Sequence, residues 1–82
     1  MISLTQIKYI LAVDKERHFG QAAKSCAVSQ PSLSLQLQKA EEAIGFLIFT
    51  RSAKRNIVPT EKGRQLIEQA KVDDDRTRDA GH

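Results

Sequence analysis

The sequence predicts a mainly α-helical domain: a three-helix core, a two-stranded hairpin after the third helix, and a last helix leading away. Three observations predict it. Apolar residues recur at helical spacing through most of residues 4–44. Two short apolar runs flank a basic segment after that, as the strands of a hairpin would. The whole chain has 82 residues, which suits one small domain with short loops.

Each element has its own signals. Ser3 and Gln6 have capping-box spacing at the start of the first helix, and Leu4, Ile7, Ile10, Leu11 and Val13 make its buried stripe, to about residue 16. In a short second helix Phe19, Ala22, Ala23 and Cys26 share a face, and the alanines let another helix come close. Val28-Ser29-Gln30-Pro31 then opens a third helix, with Ser29 as N-cap and Pro31 in the first turn, where a missing N–H costs nothing. Leu33, Leu37, Ala40 and Ile44 form its buried stripe and Gly45 ends it. Leu47-Ile48-Phe49 and Asn56-Ile57-Val58 are the expected strands, with a basic tip between them. Pro59 and Thr60 stop the second strand and cap a last helix, whose apolar positions are Leu66, Ile67 and Ala70. From Lys71 onward there is little to bury. The reading therefore divides the chain into a domain at 1–60, a linker helix at 61–72 and a polar, disordered tail at 73–82.

Composition narrows the function classes. Hydrophobic residues make up 40% of the chain, enough for one core. No apolar run approaches the ~20 residues that cross a bilayer, and the N-terminus lacks the pattern of a signal peptide. Cys26 is alone, so it forms no internal disulfide and cannot by itself make a zinc site. These features predict a cytoplasmic protein that does not bind membranes. No acid–base pair, glycine-rich phosphate loop or partnered nucleophile is evident, so neither an enzyme nor a cofactor is expected. The net charge is +3, and its distribution says more. Residues 17–60 carry Arg17, Lys24, Lys39, Arg51, Lys54 and Arg55 against Glu41 and Glu42, a net +4. An excess in the middle of the chain suits a surface facing phosphates.

Residues 19–38 read as a helix-turn-helix, in which the first helix braces a second whose N-terminal end enters the major groove. Ala22, Ala23, Cys26, Val28 and Leu33 supply the brace, and Gln30, Ser32, Ser34 and Gln38 supply short polar side chains for the outer face. Gln can pair bidentately with adenine, and Ser can donate to or accept from several bases. Any small helical protein contains two helices and a turn. The specificity comes from the element that follows, a wing at about residues 47–59 with Arg51, Lys54 and Arg55 placed to lie along the backbone or minor groove. Together these parts make a winged helix-turn-helix.

At these residues the chain resembles the DNA-binding domain of the LysR-type bacterial transcriptional regulators, over roughly residues 4–70. The matching text is His18-Phe19-Gly20-Gln21-Ala22-Ala23, Val28-Ser29-Gln30-Pro31-Ser32-Leu33-Ser34, Glu41-Glu42-Ala43-Ile44-Gly45-Phe46-Leu47-Ile48-Phe49-Thr50-Arg51 and Pro59-Thr60-Glu61-Lys62-Gly63. The stretch from His18 to Leu33 is most similar to the peroxide-responsive OxyR branch. The resemblance implies a homodimer joined through the helix after the wing and bound to a partly palindromic double-stranded DNA operator. It places base contacts at Gln30, Pro31, Ser34 and Leu35, and wing contacts at Arg51, Lys54 and Arg55. The family's effector-sensing domain is expected to be absent, and with it any small-molecule effector site.

The chain also departs from the family pattern. Leu35 stands where many members have Arg, Ala40 where Leu is usual, and the wing looks one residue longer. The polar tail replaces an apolar dimer helix and should weaken dimerisation. A truncated fragment, or an interaction module that pairs with full-length regulators without binding DNA by itself, is the alternative. Among residues that invite other roles, Cys26 is read as an apolar filler and His18 as a solvent residue flanking the second helix. Glu41 and Glu42 are read as solvated, as is the acidic run at 73–75, and Tyr9, Phe46 and Phe49 as packing groups.

Overall fold

A computed structural model describes residues 2–51 and 57–80, with the side chains of Arg51 and of residues 73–80 outside the description. Among the described residues the chain forms α1 (Leu4–Glu16), α2 (Phe19–Ser25), α3 (Gln30–Ile44), β1 (Phe49–Arg51), β2 (Ile57–Pro59) and α4 (Glu61–Ala80). The strands pair antiparallel, with Phe49 opposite Pro59, Thr50 opposite Val58 and Arg51 opposite Ile57. This is a winged helix-turn-helix.

α1 lies at the centre, packed against α2, α3 and α4. Its Ile10 and Val13 meet Ala22 and Ala23 of α2, Leu33, Leu37 and Ala40 of α3, Ile48 and Phe49 at the wing base, and Ile67 of α4 in one core cluster. Small residues at 22, 23 and 40 let the helices approach, and burying the larger aliphatics contributes about 1.5–3 kcal/mol each. The stripe read on α1 is only half right. Leu4 is 85% exposed, because it opens the helix beyond the reach of the other elements, while Ile7 and Leu11 are half-buried.

The helix ends follow from capping chemistry. Ser3 Oγ accepts from the Gln6 N–H at 3.1 Å while Gln6 Oε1 accepts from the Ser3 N–H at 3.0 Å, the reciprocal box. Gln6 also reaches Gln36 of α3 at 3.2 Å. α1 ends on Arg17, which has φ 53° and folds back on Asp14, its Nε donating to the Asp14 carbonyl at 2.7 Å. Lys71 of α4 pairs with the same Asp14 at 3.3 Å, tying the first and last helices together.

The turn between α2 and α3 is a Schellman motif. Val28 N–H donates to the Ala23 carbonyl at 3.0 Å, and Ala27 N–H to the Lys24 carbonyl at 3.1 Å. Ala27 holds the left-handed position with φ 58°, where glycine is usual. A non-glycine residue costs about 1–2 kcal/mol there, whereas glycine costs about 0.5–1 kcal/mol of extra chain entropy. Ala27→Gly should therefore raise stability by about 0.5–1 kcal/mol, seen as a melting temperature a few degrees higher. A lower melting temperature would show the turn to be unstrained.

Further boundaries differ from the sequence reading, among them the end of β2, which includes the Pro59 expected to stop it. β1 starts at Phe49 rather than Leu47, because the Ile48 backbone bonds elsewhere: its N–H to Glu41 and its carbonyl to Thr60. α4 runs to Ala80, through the stretch expected to be a disordered tail from residue 73. Local chemistry permits this continuation. Residues 64–80 contain no glycine or proline, and Asp74 precedes Arg78 at the i,i+4 spacing that supports helix. Extending a helix already nucleated by its packed first turns costs far less than starting one.

Candidate nucleic-acid interface

α3 presents the face on which a groove-reading function would depend. Its N-terminus is fixed by Ser29, whose Oγ accepts from the Ser32 N–H at 3.3 Å and whose carbonyl accepts from the Leu33 N–H at 3.1 Å. Pro31, in the first turn, has no N–H to satisfy. Part of the donor set of this end is thus used within the chain or missing, and the helix dipole adds to what remains for phosphate. Leu33, Leu37, Ala40 and Glu41 face inward and are buried. Gln30, Pro31, Ser32, Leu35 and Gln38 are exposed.

Ser34 is half-buried on the flank of that face. The Ser32 hydroxyl accepts from Ser29 Oγ at 2.8 Å, so it serves the cap as well as facing solvent. Gln30 extends toward the start of α2, where a Cβ on Gly20 would lie 3.4 Å from its Oε1. Of the wing residues, Arg51 ends β1, with its side chain outside the description, while Lys54 and Arg55 lie outside the described residues altogether.

Glu41 corrects the reading that made it solvated. It is 7% exposed, and its Oε2 accepts from the buried Ile48 N–H at 2.9 Å. The signal was present in the helical period: Glu41 falls four residues after Leu37 and three before Ile44, on the buried side. The Ile48 carbonyl accepts from the Thr60 N–H at 2.9 Å, and Thr60 Oγ1 donates to the Leu47 carbonyl at 2.6 Å. Thr60 Oγ1 also accepts from the Gly63 N–H at 2.9 Å, capping α4. Ile48 thus joins α3, the wing and α4, and this junction sets where the wing stands relative to α3.

The other singled-out residues have structural places. His18 caps α2, with Nδ1 accepting from the Gln21 N–H at 3.0 Å, a tighter role than the solvent residue expected. Cys26 is half-buried against the core. Phe49 is buried, Tyr9 and Phe46 are half-buried, and Lys62 Nζ stands 5.8 Å from the centre of the Phe46 ring. A pocket of about 280 Å3 between α1, β2 and α4 includes Asp14, whose carboxylate pairs with both Arg17 and Lys71. Among the described residues no cluster of His, Cys, Asp and Glu could hold a metal ion, and no helix is long and apolar enough to cross a membrane.

The model of the bacterial regulatory helix-turn-helix proteins of the lysR family matches residues 4–64. A hydrogen peroxide-inducible genes activator of Pectobacterium carotovorum is 39% identical over 71 residues, 87% of this chain and 23% of that protein. The regulator BudR of Klebsiella aerogenes is 41% identical over 69 residues, 84% of this chain and 48% of that protein. This chain therefore spans about a quarter to a half of these relatives. Full-length OxyR from Pseudomonas aeruginosa matches with a TM-score of 0.88 and 36% identity, covering 98% of this chain and 27% of that one. The CbnR DNA-binding domain in complex with DNA matches at 0.79 and 32% identity, covering 98% and 99% of the two chains. From residues 4–64 and the architecture they build, the chain belongs to the LysR family of bacterial regulatory helix-turn-helix proteins.

Proposed function

We propose that this domain binds double-stranded DNA sequence-specifically and regulates transcription in the cytoplasm, without catalysing a reaction. The observation that carries the proposal is the two-sided character of α3. One side is anchored in the core by Leu33, Leu37 and Ala40, and the other exposes Gln30, Pro31, Leu35 and Gln38, with Ser34 on its flank. The likeness to the CbnR domain solved with DNA supports the same reading. On it, the first turns of α3 enter the major groove: Gln30, Ser32, Ser34 and Gln38 meet base edges, and Pro31 and Leu35 make apolar contacts. Arg51, Lys54 and Arg55 of the wing lie along phosphates or the minor groove. The partner is an operator with two half-sites, bound by a homodimer joined through α4. The length of α4, Glu61–Ala80, supports that role for it.

The test is titration of the chain into a duplex selected from a random library and into its scrambled sequence, over a range of salt. Affinity should fall linearly with log salt, with a slope of several units for a handful of phosphate contacts, and the selected duplex should bind more tightly. Equal affinity for both duplexes overturns the sequence-specific reading. Gln30→Ala should cost about 1–3 kcal/mol on the selected duplex and little on the scrambled one. Arg51→Ala should weaken both alike and reduce the salt slope by about one unit. The same response of both variants on both duplexes would remove the distinction between reading and clamping residues.

A further inference from the structure

We propose that Leu35 is a specificity-determining residue that selects thymine through its 5-methyl group. The inference deepens the DNA-binding reading and rests on it. At roughly 100° per residue, the buried positions of α3 (33, 37, 40 and 41) point into one arc, and Leu35 points almost directly away from its middle. It is 49% exposed, the one large aliphatic side chain among the exposed residues of this helix. Pro31 lies one turn before it and Gln38 nearly one turn after, so it sits in the middle of the face that would enter the groove.

A lone surface leucine needs no explanation on an ordinary helix. Here its chemistry restricts what it can meet. The side chain has no donor or acceptor, so it cannot bond phosphate, the N7 and O6 of guanine, the N4 of cytosine or the N6 of adenine. The thymine methyl is the major-groove feature that gains from contact with it. Against guanine, the same leucine would displace water from O6 and N7 and leave them unpaired, which is unfavourable. Leu35 therefore both favours thymine and rejects guanine at the base pair it covers.

The test uses the full chain and duplexes selected from a random library by the wild type, Leu35→Ala and Leu35→Arg. The wild type should select thymine at one position of each half-site, Leu35→Ala should lose that preference, and Leu35→Arg should move it to guanine. Replacing that thymine with deoxyuridine removes only the methyl group. It should weaken wild-type binding by about fourfold per methyl and leave Leu35→Ala unaffected. Leu35 faces solvent, so all variants should melt like the wild type. Three results overturn the proposal: uracil without effect on the wild type at every position, an undiminished uracil penalty in Leu35→Ala, or a penalty abolished only by Pro31→Ala. Selection of no sequence at all would instead overturn the sequence-specific DNA-binding reading, and this assignment with it.

Discussion

Gly63→Ala should lower the melting temperature by roughly 10–25 °C, the largest effect expected of a single methyl group in this domain. Gly63 lies in the first turn of α4, where the helix passes over the end of the α3–β1 connection. A Cβ there would stand 2.0 Å from the Ile48 carbonyl oxygen and 2.8 Å from its carbon. Both are backbone atoms, and the oxygen is already held by the Thr60 N–H. No flexible side chain can move aside to make room. Relief requires lifting α4 away from the wing base, which breaks the Thr60 bonds and uncovers Ile67 and Phe49. The cost should be about 3 kcal/mol or more, the upper range for overpacking. A domain of this size has about 4–12 kcal/mol in total, so much of its stability would go. Thermal unfolding of Gly63→Ala beside Arg64→Ala, an exposed neighbour, measures it. A Gly63→Ala melting temperature within a few degrees of wild type would show that α4 does not press on Ile48.

Glu41→Ala should destabilise the domain by about 3 kcal/mol, and Glu41→Gln by much less. The alanine removes the acceptor of the buried Ile48 N–H, and an unsatisfied buried donor costs about 1–3 kcal/mol. It also removes one packed methylene group, worth about 0.8 kcal/mol. Glutamine keeps an acceptor oxygen and nearly the same volume. Chemical denaturation of the two variants separates acceptor loss from charge loss. Equal destabilisation by both would mean that the carboxyl group's charge, rather than its bond to Ile48, holds the junction. Because that bond links α3 to the wing base, Glu41→Ala should also weaken DNA binding although no proposed contact residue is substituted.

How much of this was legible in the sequence depended on whether local chemistry or tertiary packing decided each feature. Ser3 with Gln6, Ser29 with Pro31, and Gly45 each mark a helix end by local hydrogen bonding or backbone preference, and the structure places caps at all three. Leu33, Leu37 and Ala40 repeat at the helical period and are buried together. Leu4 fits the same period yet is exposed, because periodicity gives a direction and not whether another element reaches that far. Glu41 was misjudged for the opposite reason: charge outweighed a position on the buried side. The strand limits depended on where the Ile48 backbone finds partners seven and twelve residues away, which no local rule supplies. On the candidate interface, Gln30 and Gln38 stand out as polar positions opposite the buried stripe, whereas Pro31 and Leu35 enter only through the resemblance to the family. The second role of Ser32 in the cap was not legible, since its hydroxyl could serve either purpose.

On the proposed function, the first turns of α3 face the duplex while its opposite side is anchored in the core. Amide chemical shifts of the labelled chain, followed during titration with a selected duplex, test it most directly. The largest changes should fall on residues 29–38 and the strand ends, with the amides of Ile10 and Val13 in α1 little changed. Changes centred on α1 or α4, with residues 29–38 unmoved by saturating duplex, would contradict it.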